Sequence, residues 1–195
     1  MCSSLAQRNR RGCSSTDAFP FIAVQMRSST DEATGHEAAP QGEADEQFKL
    51  GMRHHAGENF SEARRLLGLA AMLGHAGAQH NLGSLHYRGE GGPQDFTEAR
   101  RLYGLAAAQG GAGAQLNLGS LHYRGEGGPQ DFTEARRLYG LAAAQGGAGA
   151  QCNLGLMHHQ GEGGPQDFSE ARRLLGLAAA QGHADAQFNL GVMHH

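Results

Sequence analysis

Three kinds of residue in this chain could support chemistry: a glycine-rich loop, twelve histidines and three cysteines. The loop, Gly-Glu-Gly-Gly-Pro-Gln-Asp-Phe, occurs with the same letters at 89–96, 125–132 and 161–168. Glycine-rich loops can cradle phosphate or, with enough carboxylates, bind calcium. This loop lacks the Lys followed by Ser or Thr that completes a phosphate loop, and it offers one Glu and one Asp rather than alternating carboxylates. The sequence therefore predicts neither kind of site.

The histidines raise the question of a metal site. Adjacent pairs occur at 54–55, 158–159 and 194–195, but neighbouring residues on a helix point about 100° apart and do not share a ligand sphere. Cys152 has no partner at a recognisable catalytic spacing and is interpreted as a small apolar residue. We therefore predict no catalytic residue, no metal site and no cofactor. A histidine-dependent metal-binding protein or hydrolase is the competing class of function.

Composition and charge limit the classes of partner. The chain has 195 residues and a formal net charge of −3, so it lacks the basic excess that favours nucleic acid. No apolar run approaches the length of a membrane span. We predict neither nucleic-acid binding nor membrane insertion. Three cysteines cannot close a disulfide framework, which favours a reducing compartment and hence the cytoplasm.

Residues 1–43 are predicted to be a disordered leader. They show no sustained helical or alternating pattern and contain many small and polar residues. Their start is rich in Arg and Ser and poor in acidic residues, so a transit peptide is the alternative to a plain tail. In that case the protein would be imported into a mitochondrion or plastid.

From residue 44 onward the chain is an internal repeat. Gly83, Gly119, Gly155 and Gly191 follow one another at intervals of 36 residues, whereas Gly51 precedes Gly83 by only 32. The missing residues fall in the glycine-rich loop, which indicates a surface connection. We predict one repeat domain over 44–195. Its units are 44–75, 76–111, 112–147, 148–183 and a partial unit at 184–195.

Each repeat contains two helical patterns. The second begins at Asp95, which is predicted to form a capping box with Glu98. The apolar residues that follow recur at the spacing of one helix face; they are Ala99, Leu102, Tyr103, Ala106 and Ala107.

The first helical pattern has an apolar face formed by Ala78, Leu82 and Leu85, and it ends at Gly89. His86 lies on the same face and is interpreted as a half-buried aromatic substitute rather than a metal ligand. The glycine-rich loop is therefore predicted to end one helix, turn, and cap the next.

One motif recurs in register over 44–195: Ala-Gln-x-Asn-Leu-Gly, then Gly-Glu-Gly-Gly-Pro-Gln-Asp-Phe-x-Glu-Ala, then Leu-Tyr-Gly-Leu-Ala-Ala-Ala-Gln-Gly. It resembles the Sel-one-like repeat, a relative of the tetratricopeptide repeat. The resemblance implies an all-α fold, an α-solenoid of helix-turn-helix repeats wound as a right-handed superhelix. It also implies an adaptor or scaffold that binds a protein or peptide, with no catalysis and no small-molecule substrate.

The chain departs from the family pattern at three places. Histidine replaces the usual tyrosine of the first helix, leucine replaces the usual tryptophan of the second, and Gly92, Gly128 and Gly164 replace the usual loop valine. A truncated copy of a longer repeat protein, without independent function, is the alternative to an adaptor.

The resemblance implies that the side of the first helix opposite its apolar face lines a concave groove. Three columns of residues follow this side from repeat to repeat. They are Phe48, His80, Leu116, Cys152 and Phe188; Met52, Ser84, Ser120, Leu156 and Val192; and His55, Tyr87, Tyr123, His159 and His195.

The columns contain no Lys, Arg, Asp or Glu, and Arg88 and Arg124 are placed only at the edge. We therefore predict that the groove binds a largely uncharged protein segment; the alternative is that the columns pack between repeats. Four asparagines beside them are predicted either to pair with the backbone of an extended peptide or to tie adjacent helices together. They are Asn81, Asn117, Asn153 and Asn189.

Overall fold

A computed structural model of the protein describes residues 38–193. These residues form nine helices and no strand. Residues 1–37 of the predicted leader lie outside the described residues. Residues 38–43, which were also assigned to the leader, instead belong to the first helix, which begins at Ala38. The helices are α1 (Ala38–Ala56), α2 (Phe60–Met72), α3 (Ala76–Arg88), α4 (Phe96–Ala108), α5 (Ala112–Arg124), α6 (Phe132–Ala144), α7 (Ala148–Gln160), α8 (Phe168–Ala180) and α9 (Ala184–Val192).

The helices stack in chain order. Each packs mainly against the helix before it and the helix after it, which is the arrangement of a solenoid, where every repeat contacts only its neighbours. The predicted all-α solenoid is confirmed.

The glycine-rich loops connect the two helices of a repeat, as predicted. Gly89, Gly125 and Gly161 end α3, α5 and α7 with φ of 72°, 71° and 75°, the left-handed conformation that favours glycine at a helix C-terminus. At the other end of the first loop, Oδ1 of Asp95 accepts a hydrogen bond from the Glu98 amide at 3.0 Å.

The second half of the predicted capping box is wrong. The Asp95 amide donates instead to the carbonyl of His86 at 2.9 Å, which closes the loop onto the preceding helix. The Glu98 carboxylate is thereby free to accept from Arg101, at 2.7 and 2.8 Å. The same two contacts recur at the caps of α6 and α8.

The core lies between the helices of successive pairs. Its large fully buried side chains are leucines and one methionine, including Leu85, Leu121 and Met157. Gly83 and Gly119 allow close helix packing, because a Cβ added there would lie 3.0 Å from the ring of Tyr103 and 2.8 Å from that of Tyr139.

Buried glutamines join each repeat to the next. Gln79 donates to the carbonyl of Ala71 at 3.2 Å and accepts from Gln109 at 2.7 Å. Gln115 accepts from Gln145 at 2.9 Å. Because the amide groups satisfy one another, these polar side chains can be buried without an unpaired donor.

Replacing Gly104 and Gly140 by alanine should raise the melting temperature. Both lie inside helices, α4 and α6, and a Cβ at either position would have no neighbour within 4 Å. Glycine is less favourable than alanine inside a helix by about 1 kcal/mol per site. Thermal unfolding followed by circular dichroism measures the gain, and Gly119→Ala is the matched control because it meets Tyr139 and should lower the temperature. An unchanged or lower temperature for the double variant would contradict the prediction.

Candidate binding groove

Most of the predicted groove residues lie half-buried on one side of the first helices. Three residues differ from the rest: Cys152 is only 2% exposed and packs in the core, whereas Phe188 and Val192 are 72% and 59% exposed. His195 lies outside the described residues. The half-buried members of the predicted set are Phe48, Met52, His55, His80, Ser84, Tyr87, Leu116, Ser120, Tyr123, Leu156, His159 and the four asparagines at 81, 117, 153 and 189.

Two adjoining pockets open along this side. The first, of about 290 Å³, lies between α3 and α5, and the second, of about 210 Å³, lies between α5 and α7. They share Ser120 and Arg124. The first is completed by Ser84, Tyr87, Arg88, Tyr103, Asn117 and Leu121, and the second by Tyr123, Tyr139, Asn153, Leu156, Met157 and Gln160.

Hydroxyl pairs from two helices line both pockets. The hydroxyl oxygens of Tyr103 and Ser84 lie 3.0 Å apart, and the hydroxyl of Tyr139 donates to that of Ser120 at 3.1 Å. Burial raises the pKa of both tyrosines above its ordinary value, so their hydroxyls keep their protons. The serine hydroxyls donate to carbonyls of their own helices, Ser84 to His80 at 3.2 Å and Ser120 to Leu116 at 3.1 Å. The tyrosine hydroxyls are left as acceptors for an incoming segment.

The sequence analysis assigned Tyr103 only to the apolar face of its helix. The sequence nevertheless indicates the contact between the Tyr103 and Ser84 hydroxyls. The two repeats with tyrosine at this position of the second helix have serine in the first helix, Ser84 and Ser120. In the repeat with Leu175, the corresponding residue is Leu156. A hydroxyl in one helix thus accompanies a hydroxyl in the other.

Arginines line the groove more than was predicted. Arg88 and Arg124 both line the first pocket, and Arg124 donates to the hydroxyl of Tyr87 at 2.9 Å. Arg88 pairs with Glu90 at 3.3 Å. Both side chains are more than half exposed, so they line the solvent side of the pocket.

The asparagines make contacts both within a helix and between repeats. Asn81 donates to the carbonyl of Gly77 in its own helix at 2.8 Å. The amide nitrogen of Asn117 lies 3.0 Å from Nε2 of His80, across the boundary between α5 and α3. Burial lowers the pKa of His80, which favours the neutral ring that can accept this hydrogen bond. Asn117 therefore ties two repeats together while it also lines the first pocket.

The third column packs against the loops. The rings of Tyr87 and Phe96 meet edge to face with centroids 5.3 Å apart, and those of Tyr123 and Phe132 at 5.2 Å. Packing within the chain was the alternative to a binding role for these residues, and each tyrosine ring does pack against a phenylalanine. Tyr87 also lines the first pocket and Tyr123 the second.

The described residues also limit which other kinds of site are present. Between Ala38 and Met193, no helix is both long and apolar enough to cross a membrane. In the same part of the chain, no three His, Cys, Asp or Glu side chains are grouped closely enough to hold a metal ion.

Comparison with known proteins gives the following similarities. The family model described as "Sel1 repeat" matches residues 47–75, 76–111, 112–147, 148–183 and 184–195. No curated protein shows significant similarity to the chain.

Three solved structures are similar in fold. A protective antigen present in uropathogenic Escherichia coli strains, which displays an SLR fold, is 34% identical with a TM-score of 0.75; the match covers 80% of this chain and 34% of the antigen. A Sel1 repeat protein from Oxalobacter formigenes is 28% identical with a TM-score of 0.70, covering 75% of this chain and 58% of that protein. A Sel1 repeat protein from Klebsiella pneumoniae, at 22% identity and a TM-score of 0.51 over 81% of each chain, supports the fold alone. The chain thus spans about a third and just over half of the first two structures.

Proposed function

Because the chain belongs to the Sel1 repeat family, whose members are generally non-catalytic scaffolds for protein interactions, we propose that it is an adaptor that binds an extended segment of a partner protein along the groove. The compartment we propose is the cytoplasm, on the ground that the cysteine content favours a reducing environment.

The observation that carries the proposal is the pair of adjoining pockets. They repeat at the spacing of the helix pairs and share Ser120 and Arg124, so one segment running along the groove could enter both. Their hydroxyl and amide groups match the donors and acceptors of a peptide backbone. The apolar members of the columns, such as Leu116 and Leu156, are suited to uncharged side chains of the segment.

Recurrence favours binding over catalysis. Catalysis requires one asymmetric group of residues, whereas Ser84 with Tyr103 and Ser120 with Tyr139 form the same arrangement twice. A surface built of repeated units instead suits a partner that is itself extended.

The groove is tested by removing polar groups that line the pockets. The variant Asn117→Ala, Ser120→Ala and Arg124→Ala should weaken capture of the partner about tenfold or more, because a few central side chains carry most of the binding free energy. The measurement is retention of proteins from a cell lysate on the immobilised chain, followed by titration of the retained protein.

The matched control changes the outer face instead. Arg101→Ala and Arg137→Ala remove exposed residues of α4 and α6, whose partners are the local carboxylates Glu98 and Glu134. This control should capture as the wild type does, and both variants should keep the helical circular dichroism of the wild type. If the groove variant retains the partner and the control loses it, the binding surface is on the outer face and the proposal is wrong.

A further inference from the structure

One arginine in each of α2, α4 and α6 contacts a histidine of the following repeat. Nη2 of Arg64 lies 2.6 Å from Nδ1 of His86. The equivalent distance is 2.8 Å for Arg100 and His122, and 2.8 Å for Arg136 and His158. All three histidines are half-buried. Their position on the packed side of the helix was predicted, but their arginine partners were not.

The same guanidinium groups hold the loops. Nη2 of Arg64 donates to the carbonyl of Pro93 at 3.3 Å, and Arg100 and Arg136 donate to Pro129 and Pro165 at 3.3 and 3.1 Å. We call each set of three residues a clamp. The clamps are Arg64–His86–Pro93, Arg100–His122–Pro129 and Arg136–His158–Pro165.

The loop glycines make room for the clamps. A Cβ added at Gly92, Gly128 or Gly164 would overlap the guanidinium of Arg64, Arg100 or Arg136, respectively. Two departures from the family pattern, histidine for tyrosine and glycine for the loop valine, therefore meet at one contact. Because both substitutions occur at the same contact, we interpret the arginine site as a specific feature of the interface between repeats.

The clamp depends on the protonation state of its histidine. A neutral imidazole has one ring nitrogen that accepts a hydrogen bond, whereas a protonated ring has donors on both nitrogens. Arginine stays charged and only donates. We propose that the clamps form a pH-sensitive joint between successive repeats, in which protonation of His86, His122 and His158 breaks the arginine contact and loosens the array.

The charges around each ring come from both neighbouring helices. Arg64 faces His86 from α2; Asp95, at the N-cap, and Glu98 and Arg101, in α4, face it from the other side. Burial is the main cause that lowers the pKa of His86 below its ordinary value, and Arg64 adds to it against the opposing effect of the two carboxylates. The pKa of His122 and of His158 is lowered in the same way, by burial and then by Arg100 and Arg136.

The sign of the pH effect follows from these directions. The unfolded chain has histidines with an ordinary pKa of about 6.5, so it takes up protons before the folded chain does as the pH falls. Stability is therefore complete above about pH 6.5 and is lost progressively as the pH falls toward the lowered pKa of the folded state. For each histidine that stays neutral in the folded chain, the unfolding equilibrium constant can rise by up to about tenfold for every unit by which the pH falls.

The test uses the full chain and a variant that keeps the acceptor. In His86→Asn, His122→Asn and His158→Asn, the side-chain oxygen can stand near the position of Nδ1 and accept from arginine at any pH. Urea unfolding is measured from about pH 7.5 to about pH 5, a window chosen around the ordinary histidine pKa. The wild type should lose stability steeply as the pH falls over this range. In the variant, the number of protons taken up on unfolding should be smaller by up to about one per substituted residue.

The control substitutes another histidine of the first helices. His159→Asn changes a ring that packs on Phe168, and this variant should keep the pH dependence of the wild type. If the triple variant shows the same pH dependence as the wild type, the proposal is wrong. If the triple variant does not fold, His122→Asn is measured alone. It should reduce the pH dependence by about a third of the reduction expected for the triple variant, since it removes one of three equivalent clamps.

A second measurement separates the clamp from a merely structural role. In Arg100→Gln the cation that faces His122 is removed, so the proton NMR titration midpoint of His122 should move upward relative to the wild type. An unchanged midpoint would overturn the proposed joint at this position.

Discussion

Replacing Leu82, Leu118 and Leu154 together by alanine is expected to unfold the repeat array near neutral pH. The three side chains are 7%, 8% and 8% exposed and belong to three different clusters of the core. Each substitution should lower the free energy of unfolding by about 2–5 kcal/mol through lost burial and the cavity left behind. The sites lie in successive repeats, so their effects should nearly add.

The sum is as large as the whole stability of a typical domain, about 5–15 kcal/mol. Circular dichroism in the absence of denaturant should therefore show a large loss of helix for the triple variant, and urea unfolding of the single variants gives the separate contributions.

Three exposed leucines provide the matched control for this result. Leu69, Leu105 and Leu141 lie on the second helices and are 40–42% exposed. Their replacement by alanine makes the same chemical change without a buried cavity, so each should change stability by no more than about 0.5 kcal/mol. A control that unfolds as completely as the buried triple would mean that burial is not the cause. A buried triple that retains the helix signal of the wild type would show that the stack does not depend on these clusters.

The sequence predicted features that depend on contacts within one repeat. The helix faces, the left-handed glycine at Gly89 and the cap at Asp95 all follow from residues that are close in the chain, and the structure has each of them. Local pattern and the 36-residue interval were sufficient for these features.

Polar contacts between repeats were missed for a physical reason. The partner of Arg64 is His86, 22 residues away, and the periodicity of apolar residues does not specify which polar group a half-buried histidine meets. One polar contact inside a repeat was also missed: a capping box was predicted for Glu98, but the Asp95 amide donates to the carbonyl of His86, at the end of the preceding helix. Cys152 was placed in the groove by its column, whereas the fourth repeat packs it into the core.

The second large effect is expected at Gly127, whose replacement by alanine should lower the free energy of unfolding by about 2–5 kcal/mol. Its φ is +70°, where a Cβ adds strain of about 1–2 kcal/mol. A Cβ there would also overlap the backbone carbonyl of Phe96 at the start of α4, a contact that rigid backbone cannot relieve as a flexible side chain could. Overpacking of this kind adds about 1–3 kcal/mol.

Gly110 separates the two causes. Its φ is +88°, but a Cβ at Gly110 would have no neighbour within 4 Å. Gly110→Ala should therefore show only the strain of about 1–2 kcal/mol, and the difference between the two variants in urea unfolding measures how tightly the loop of the third repeat is seated on the helix of the second. Equal losses for the two variants would show that the loop can move away from Phe96 at little cost. In that case the repeats would be held together by their apolar clusters and buried glutamines, and the loops would contribute little to the stacking.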